Sequence, residues 1–590
     1  SAGTAREAGT LTAPAADTPP RPLERWSVPL LLVGSVAVAF WPAFGAGFVN
    51  WDDPGLLVEN PRYRGLGPAE LGWMLTTFHM GHFHPLTWLS FAIDHALWGM
   101  EPRGYHLTNV VLHAANAVVF WALARRVLAH AGTRRDVQAT GALLAALLFA
   151  LHPLRVESVA WVTERRDVLS TLFLLLTVLA WLRFQEGGAV RRRWYAIALG
   201  CFVLSLLSKA WAITLPAVLL VLDVWPLRRR RPVAALVLEK LPFIAVAGGA
   251  AVLALVAQRT AGAMGDAAEL GVLQRTMQAL YGLAFYVRKS LVPTGLSPVY
   301  LLDPRLDPAA PRYLLSAAGV LAAAGALVAF RRRSPGTVVA FVCYAILVSP
   351  VLGFAQSGVQ LVADRYAYVA SLPLALLAGA ALATLARAGG RIAAAVSIAV
   401  VATLGIATWR QTQVWHDSLT LWNHALALDP DNWLAHNSRG LAREQAGDPE
   451  RAAADFDAAV RAAPGYAMAY NNRGRLRVGR GDVAGAIADW DRALALAPGL
   501  AVAALNRGAA RLVQGDTAGA IADLETATRL APGDASAWYN LATAHTMAGR
   551  LDLAIEDCGR ALALAGGDDD LRARAQRKLD ALRAEQARVH

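Results

Sequence analysis

Two patterns of apolar and polar positions meet near residue 410. Before it, long apolar runs alternate with short polar stretches; after it, apolar and small residues recur at helical spacing with a fixed longer period. A helix that crosses a bilayer needs ~20 mostly apolar residues. The runs therefore predict spans near 28–47, 106–124, 138–151, 168–182, 194–208, 211–226, 234–256, 313–330, 337–354, 368–386 and 392–409. The run from Val28 to Gly47 follows Arg21 and Arg25 and lacks a small-residue cleavage site at its end, the pattern of a retained signal anchor. Residues 1–27, rich in Ala, Thr and Pro, have nothing with which to build a core and are read as a disordered cytoplasmic tail.

The polar stretches set the orientation. Arginines cluster at Arg125, Arg126, Arg134 and Arg135; at Arg183 with Arg191 to Arg193; at Arg228 to Arg231; at Arg331 to Arg333; and at Arg387 with Arg391. Basic loops stay in the cytoplasm. Placing every cluster there requires eleven spans, with the N-terminus inside and everything after residue 410 outside. Residues 273–291 are apolar but interrupted by Gln274, Arg275, Gln278, Arg288 and Lys289; a crossing there would turn Arg331 to Arg333 outward, so an interfacial helix is expected.

Beyond residue 410 the period is 34: Pro430, Pro464, Pro498 and Pro532 share it, as do Gly440, Gly474 and Gly508, Gly447, Gly481, Gly515 and Gly549, and Ala452, Ala486, Ala520 and Ala554. This is the tetratricopeptide period, in which small residues let two helices pack closely and proline ends the second. Four full repeats run from Trp433, after a half repeat around Trp415 to Leu428 and before a capping helix near Leu571 to Ala587. The fold class is thus all-α: a polytopic membrane domain, 28–409, followed by a repeat solenoid, 410–590, whose concave face suits peptides or extended chains. No Gly, Ser or Pro linker separates the last span from Trp415, so the span is expected to run into the solenoid or pack on it.

Composition narrows the class. Of 590 residues 56% are hydrophobic and 17% charged, and the mean hydropathy is +0.38, too apolar for an ordinary soluble protein. Residues 410–590 hold 21 basic and 23 acidic residues, so the net +12 lies wholly in the apolar part. That favours the membrane and excludes nucleic acid as the reason for the charge. Only four basic residues are Lys, which with abundant Ala points to a GC-rich bacterial genome and hence a bacterial inner (plasma) membrane, with the repeats periplasmic or extracellular. Cys201, Cys343 and Cys558 offer neither a disulfide framework nor a cysteine metal site.

The chemistry falls in the outer loops. Asp52 and Asp53 follow the first span, where carboxylates are expensive to hold beside hydrocarbon. They suit deprotonation of a hydroxyl or a divalent cation; the bland alternative is a solvated turn before Pro54. The same loop carries His82, His84 and Pro85-Leu86-Thr87, and then His106, Asn109 and His113 on one face of the second span, where a packing network is the alternative to binding. No zincin spacing occurs among them. The next loop reads His152-Pro153-Leu154-Arg155-Val156-Glu157, then Glu164-Arg165-Arg166-Asp167. Lys209 and Asp364-Arg365-Tyr366 complete the outer set, cations suited to grip a lipid-linked phosphate. In the repeats, Asn472, Asn506 and Asn540 step along the array, placed either to hydrogen-bond an extended acceptor or to stabilise the repeat turns.

Together these residues resemble the transmembrane and tetratricopeptide-repeat O-mannosyltransferases, members of the GT-C superfamily of polyprenyl-phosphate-sugar-dependent transferases. The resemblance covers roughly residues 28–565 and rests on Asp52-Asp53, Pro85-Leu86-Thr87, His106-Leu107 with Asn109 and His113, His152-Pro153 with Glu157, Arg166-Asp167, Lys209, and Asp364-Arg365 with Tyr368. It implies that Asp52 or Asp53 is the base for the acceptor hydroxyl, and that Arg365 and Lys209 hold the donor phosphate, with Arg166 beside them. Glu157 and Asp167 would shape the sugar or acceptor pocket with His84, His106, Asn109 and His152. Two positions depart from the family: His84 stands where arginine tends to precede Pro-Leu-Thr, and Ala210 where an acidic residue tends to follow the lysine. The function implied is transfer of a sugar, mannose in the family, from a polyprenyl-phosphate donor to Ser/Thr hydroxyls of exported proteins presented by the repeats. A glycan or lipid acceptor, or a non-catalytic membrane-anchored scaffold, are the other readings; against the scaffold stands the density of charge in the outer loops.

Overall fold

The computed structural model describes residues 22–188, 190–260, 270–303, 305–353 and 358–589. The expected tail, 1–27, lies outside the described residues as far as residue 21, and its last part is already helical: Pro22–Ala39 starts at a proline, whose missing N–H costs nothing in a first turn.

Five helices are long and apolar enough to cross a membrane: Pro102–His130, Val162–Gln185, Leu241–Thr260, Pro311–Phe330 and Leu372–Val414; the bent pair Arg135–Ala150 and Pro153–Ala160 brings the number to six. Trp26–Ala39, Ala210–Val224 and Pro335–Val351 are apolar but have only 10–17 residues. Eleven separate spans are therefore not what the described residues present, although each expected run is helical. The reason is local. Pro153 and the stretch Lys209 to Thr214 break apolar runs into short pieces, Arg191–Ser208 opens on three arginines, and the runs at 368–386 and 392–409 are, as expected, two helices, although they follow each other as one 43-residue element interrupted only at Gly390.

That element is bent back on itself at Gly390, whose φ of +61° is open to glycine but strained for other residues. Its first half passes Gly379 against Gly141 and Ala145 and ends with Arg387 paired to Asp136; its second half returns, with the Thr408 hydroxyl donating to the Leu151 carbonyl at 2.7 Å. Both halves thus pack on Arg135–Ala150, through small residues that let backbones approach. Val162–Gln185 is the most buried of the long helices, whereas Leu315 and Leu321 of Pro311–Phe330 are 73% and 68% exposed, an apolar surface that only lipid would cover.

The helix ends sort into two sets. Arginine-rich turns meet at one end, where Arg126 pairs with Glu186, Arg387 with Asp136, and Arg229 and Arg231 with Glu239. At the other end the first loop is itself folded, with Leu56, Leu57, Tyr63, Met74, Trp88 and Phe91 in a small core of its own. Two strands, Tyr300–Leu301 and Gln360–Val362, pair antiparallel at this end. Val272–Leu291 touches the same rim along its length: Gln278 lies against Gly353, and the Ser290 carbonyl meets His152. Gln278 and Lys289 of this helix are buried against that rim, whereas Val272, Leu273 and Leu291 are exposed.

The solenoid follows its sequence period closely. Helix pairs Trp433–Gln445 with Pro449–Ala462, Ala467–Gly479 with Val483–Leu496, Ala501–Gln514 with Thr517–Leu530, and Ala535–Met547 with Leu551–Leu564 stack after Ser418–Leu428 and before Asp569–Val589. Gly440, Gly474 and Gly508 are where a Cβ would strike Phe456, Trp490 and Leu524 of the second helix. Asp448, Asp482 and Asp516 cap the second helices by accepting from backbone N–H groups.

A Cβ at Gly379 would stand 2.4 Å from the Ala145 nitrogen, and backbone cannot yield as a side chain does. Gly379→Val should cost about 1–3 kcal/mol through overpacking, visible as a lowered Tm of the detergent-solubilised protein, while Gly319→Val, on an open helix face, should not.

Candidate active site

The end opposite the arginine turns holds a cavity of about 660 Å³ lined by Asp52, His82, His84, Glu164, Arg166, Lys209, Ala210, Gln360, Arg365 and Tyr366, with one wall from Ala251, Val252, Ala254 and Leu255. Its centre is Glu164, at the end of the tight turn Val162–Glu164. The buried Glu164 carboxylate accepts from Arg166 at 2.7 and 3.1 Å and from Lys209 at 3.0 Å, and stands 3.3 Å from Arg365 Nε. Three cations on three segments are fixed by one carboxylate. The next two residues show why the segment is helical here: Arg165 turns away to a buried pair with Asp94, and Arg166 faces the cavity, about 100° further round.

A further layer orients the cations. Glu157 accepts from the Arg365 backbone N–H at 2.7 Å and from its guanidinium, while Gln360 takes a second guanidinium N–H at 2.8 Å. Asp167 accepts from Lys209 at 2.6 Å and from Ser158 at 2.9 Å. Every nitrogen of the Arg365 guanidinium thereby faces a protein acceptor. The Arg166 guanidinium is less completely matched: among the described residues its Nη1 is buried with no hydrogen-bond partner, and Lys209 has used two of its three N–H groups. The lining carries three cations and two carboxylates, Asp52 and Glu164, and Glu157 and Asp167 back the cations, so what the cavity offers an anion is the unspent donors of Arg166 and Lys209 and not a surplus of charge.

The two adjacent aspartates part company. Asp52 is a quarter exposed to the cavity, 3.7 Å from Arg166. Burial pushes its carboxyl above the ordinary aspartate range, against the pull of Arg166. Asp53 points the other way, accepting from Val49 N–H at 2.9 Å, Thr163 N–H at 3.2 Å and the Thr163 hydroxyl. It is buried without a cation, and this burial lifts it to about 7 despite those hydrogen bonds. Asp53 closes the loop onto Thr163; the expectation that it shares the cavity is corrected, because its carboxylate is taken up by the Val49 and Thr163 N–H groups and the Thr163 hydroxyl. His82 and His84 are kept neutral, by burial first and then by Arg166.

Three other expected residues lie elsewhere. Asn109 donates to the carbonyls of Val159, Trp161 and Val162 and accepts from Arg165, which ties the second long helix to the turn carrying Glu164. His106 reaches the Gly47 carbonyl at 3.4 Å. His152 caps the bend, its Nδ1 accepting from Leu154 N–H at 3.2 Å and its Nε2 facing the Ser290 carbonyl at 3.1 Å. These polar groups satisfy buried backbone and do not line the cavity. Glu164, Gln360 and Tyr366 do line it and were not singled out from sequence; the signal was the dense charge of Glu164 to Asp167, but not which member faces inward. Among the described residues no group of three or more His, Cys, Asp or Glu is placed to hold a metal. Asn472 and Asn506 bond to other asparagines, Asn437 at 2.9 Å and Asn471 at 3.1 Å, an inter-repeat ladder rather than a row of unspent amides; Asn540 lies in the last full repeat, half-buried.

The solenoid touches the loop that carries Asp52. Trp422 Nε1 donates to the Asn50 side-chain oxygen at 2.6 Å, the Asn50 amide donates to the Ser438 carbonyl at 2.8 Å, and its backbone N–H donates to the Ser418 hydroxyl at 2.9 Å. Trp51 stacks on Trp422 at 4.9 Å and leans on Trp161, which stacks on Trp415 at 5.6 Å and underlies the Arg365 guanidinium. The helix through Val414 enters this cluster without a linker.

Residues 403–467, 442–501, 471–523 and 505–569 match the tetratricopeptide repeat family model. The chain is 33% identical to protein O-mannosyl-transferase TMTC2 of Homo sapiens over 163 residues, 27% of this chain and 18% of the relative. It is 32% identical to protein O-mannosyl-transferase TMTC4 of Homo sapiens over 215 residues, 33% of this chain and 29% of the relative. The match thus spans less than a third of these curated relatives. Among solved structures, a crystal structure of MamA is 23% identical, with a TM-score of 0.24, covering 26% of this chain and 89% of that one. The two positions that depart from the resembling family, His84 and Ala210, both line the cavity.

Because Asp53 binds its proton more tightly folded than unfolded, its contribution to stability is complete below the ordinary aspartate value and is lost as pH rises through about 7. Thermal melts across that window should show a fall in Tm that Asp53→Asn flattens. Asp53→Ala, which strands the buried Val49 and Thr163 N–H groups, should cost about 1–3 kcal/mol, whereas Asp52→Asn should leave Tm nearly unchanged.

Proposed function

We propose that this chain is an integral-membrane glycosyltransferase of the inverting GT-C kind, moving a sugar, mannose by resemblance, from a polyprenyl-phosphate carrier to Ser or Thr hydroxyls of exported proteins. The observation that carries the reading is the cavity itself: a partly accessible carboxylate, Asp52, stands opposite donors that Arg166 and Lys209 have not spent, beside a wall from the lipid-exposed helix Leu241–Thr260. A lipid-linked anion has this mixed character. Its tail needs an apolar flank, and its phosphate needs fixed cations that lose little entropy on binding.

In this reading Asp52 takes the proton of the acceptor hydroxyl as its oxygen attacks the anomeric carbon, and the bond from that carbon to the carrier phosphate breaks with inversion. Arg166 and Lys209 receive the charge that builds on the leaving phosphate. Arg365, held by Glu157, Glu164 and Gln360, orients Glu164 and faces the same space. Neutral His84 and the small Ala210 border the sugar or acceptor. Relatives whose printed name is protein O-mannosyl-transferase support the reading. We further propose the topology of eleven spans in a bacterial inner membrane, with the N-terminus cytoplasmic and the solenoid outside, where protein or peptide acceptors are presented.

Purified protein given polyprenyl-phosphate mannose and a Ser/Thr peptide should form glycopeptide, and Asp52→Asn should reduce turnover on the order of 10² to 10⁴-fold, the usual weight of a general base. Full activity in Asp52→Asn would remove the base from this loop. Because Asp52 must be ionised to act and its carboxyl is raised, activity should climb with pH along an acid limb above the ordinary aspartate range. Arg166→Gln, which removes the cation opposing that rise, should move the limb higher still.

The clasp of the solenoid on Asn50 and Trp51 should matter to turnover although none of its members lines the cavity. Asn50→Ala or Trp422→Ala should lower kcat by up to roughly 10²-fold, the effect of an ångström's misplacement, with little change in donor KM; a change confined to KM would show that the clasp does not position Asp52.

A further inference from the structure

A second cavity, of about 400 Å³, lies among Pro102–His130, Arg165–Gln185, Leu215–Val224, Pro335–Val348 and the first half of Leu372–Val414. It is a slot running along two of these helices. One end, at Leu215 and Leu347, begins just beyond Trp211 and Val351 of the Asp52 cavity; the other, at Trp225, Arg228 and Pro335, opens at the arginine-rich end. Its length is aliphatic, and such a cavity does not hold water well.

The polar groups lie at the arginine-rich mouth, and they are unmatched. Of the four consecutive arginines, Arg229 is neutralised by Asp223 at 3.0 Å and Glu239 at 2.6 Å, and Arg231 by Glu239 at 2.9 Å. Arg228 has no hydrogen-bond or ion-pair partner among the described residues, and it is held at the mouth by a left-handed backbone, φ +49°, that few non-glycine residues adopt. Beside it the Trp225 Nε1–H is shielded from solvent and also lacks an acceptor. A cation and a neutral donor at the mouth of a dry slot call for a ligand with an anionic acceptor group and a long apolar chain.

We propose that this slot binds a membrane phospholipid with an anionic headgroup, its phosphate at Arg228 and Trp225 and one acyl chain lying toward Leu347. Basic pockets between membrane helices hold anionic headgroups by this combination of charge and hydrogen bonding. The polyprenyl donor fits less well: its phosphate would sit at Arg166, at the opposite end, so a tail entering from there would leave both mouth donors unmatched. The bound lipid would brace Leu215–Val224 and Pro335–Val348, whose outer ends continue into Trp211 and Val351 of the Asp52 cavity.

The test uses the full-length protein in detergent, with native mass spectrometry as the readout and phosphatidylglycerol, phosphatidylethanolamine and polyprenyl phosphate as probes. The wild type should retain phosphatidylglycerol over phosphatidylethanolamine by roughly fivefold, the weight of one basic residue at a lipid headgroup. Arg228→Gln, at an exposed position where folding is not at stake, should abolish that preference. Ala340→Phe, which fills the slot, should lower retention of both phospholipids. Equal retention of the two phospholipids by the wild type, or an unchanged preference in Arg228→Gln, overturns the assignment. So does displacement of phosphatidylglycerol by polyprenyl phosphate, which would make the slot the seat of the donor tail. None of these outcomes depends on transferase activity, so the proposed reaction can fail while this site stands.

Discussion

Glu164 is the residue on which the end of the helical domain opposite the arginine turns depends. Its carboxylate is sealed from water, yet it is ringed by Arg166, Lys209 and Arg365, drawn from the turn after the bent helix pair, the end of Arg191–Ser208 and the turn before the last long helix. Burying an ion is costly unless its partners are fixed in good geometry. Here the partners are fixed by a second set of acceptors, Glu157, Asp167 and Gln360, so that the cluster is stable only as a whole. Removing its centre would leave three cations crowded in a space of low dielectric. A cavity assembled in this way is rigid, and its spare donors stay aimed at a ligand instead of folding back onto protein.

The same economy of polar groups explains the residues around the cavity. Asn109, His106, His152 and Arg155 spend their hydrogen-bonding capacity on backbone carbonyls and N–H groups exposed by breaks in helices. Arg155, for example, bonds the carbonyls of Phe149 and Ala367, stitching the bend at Pro153 to the start of Leu372–Val414. In a membrane, irregular backbone persists only where such partners exist. The short helices and turns of this end are therefore kept by polar side chains that do not line the cavity, and the turns that face it inherit their precision from them.

The repeat solenoid joins the same structure through aromatic surface. Trp51, Trp161, Trp415 and Trp422 alternate between loop, membrane domain and first repeat, and Arg365 lies over one of them. Large rings bury much area with few rotatable bonds, so the solenoid is docked and not tethered. Within the array the glycines under Phe456, Trp490 and Leu524 and the capping aspartates repeat the same local solution three times, and a binding surface follows from stacking alone.

Periodicity and composition are local properties, and the sequence determined what depends on them: the apolar helices, the 34-residue repeats with their glycine and proline positions, the basic turns at one end, and the gathering of Asp52, Arg166, Lys209 and Arg365 at the other. Only the tertiary structure decided which members of each charged group face the cavity. Asp52 and Asp53 are adjacent and chemically alike, as are Arg165 and Arg166, and no pattern separates them, because a one-residue step turns a side chain to a different neighbour whose position is set by distant segments. Gly390 shows the same limit. The Gly389-Gly390 pair between Arg387 and Arg391 places a turn between the two apolar runs, while the small-residue face of Arg135–Ala150 on which both halves close is fixed by the tertiary structure.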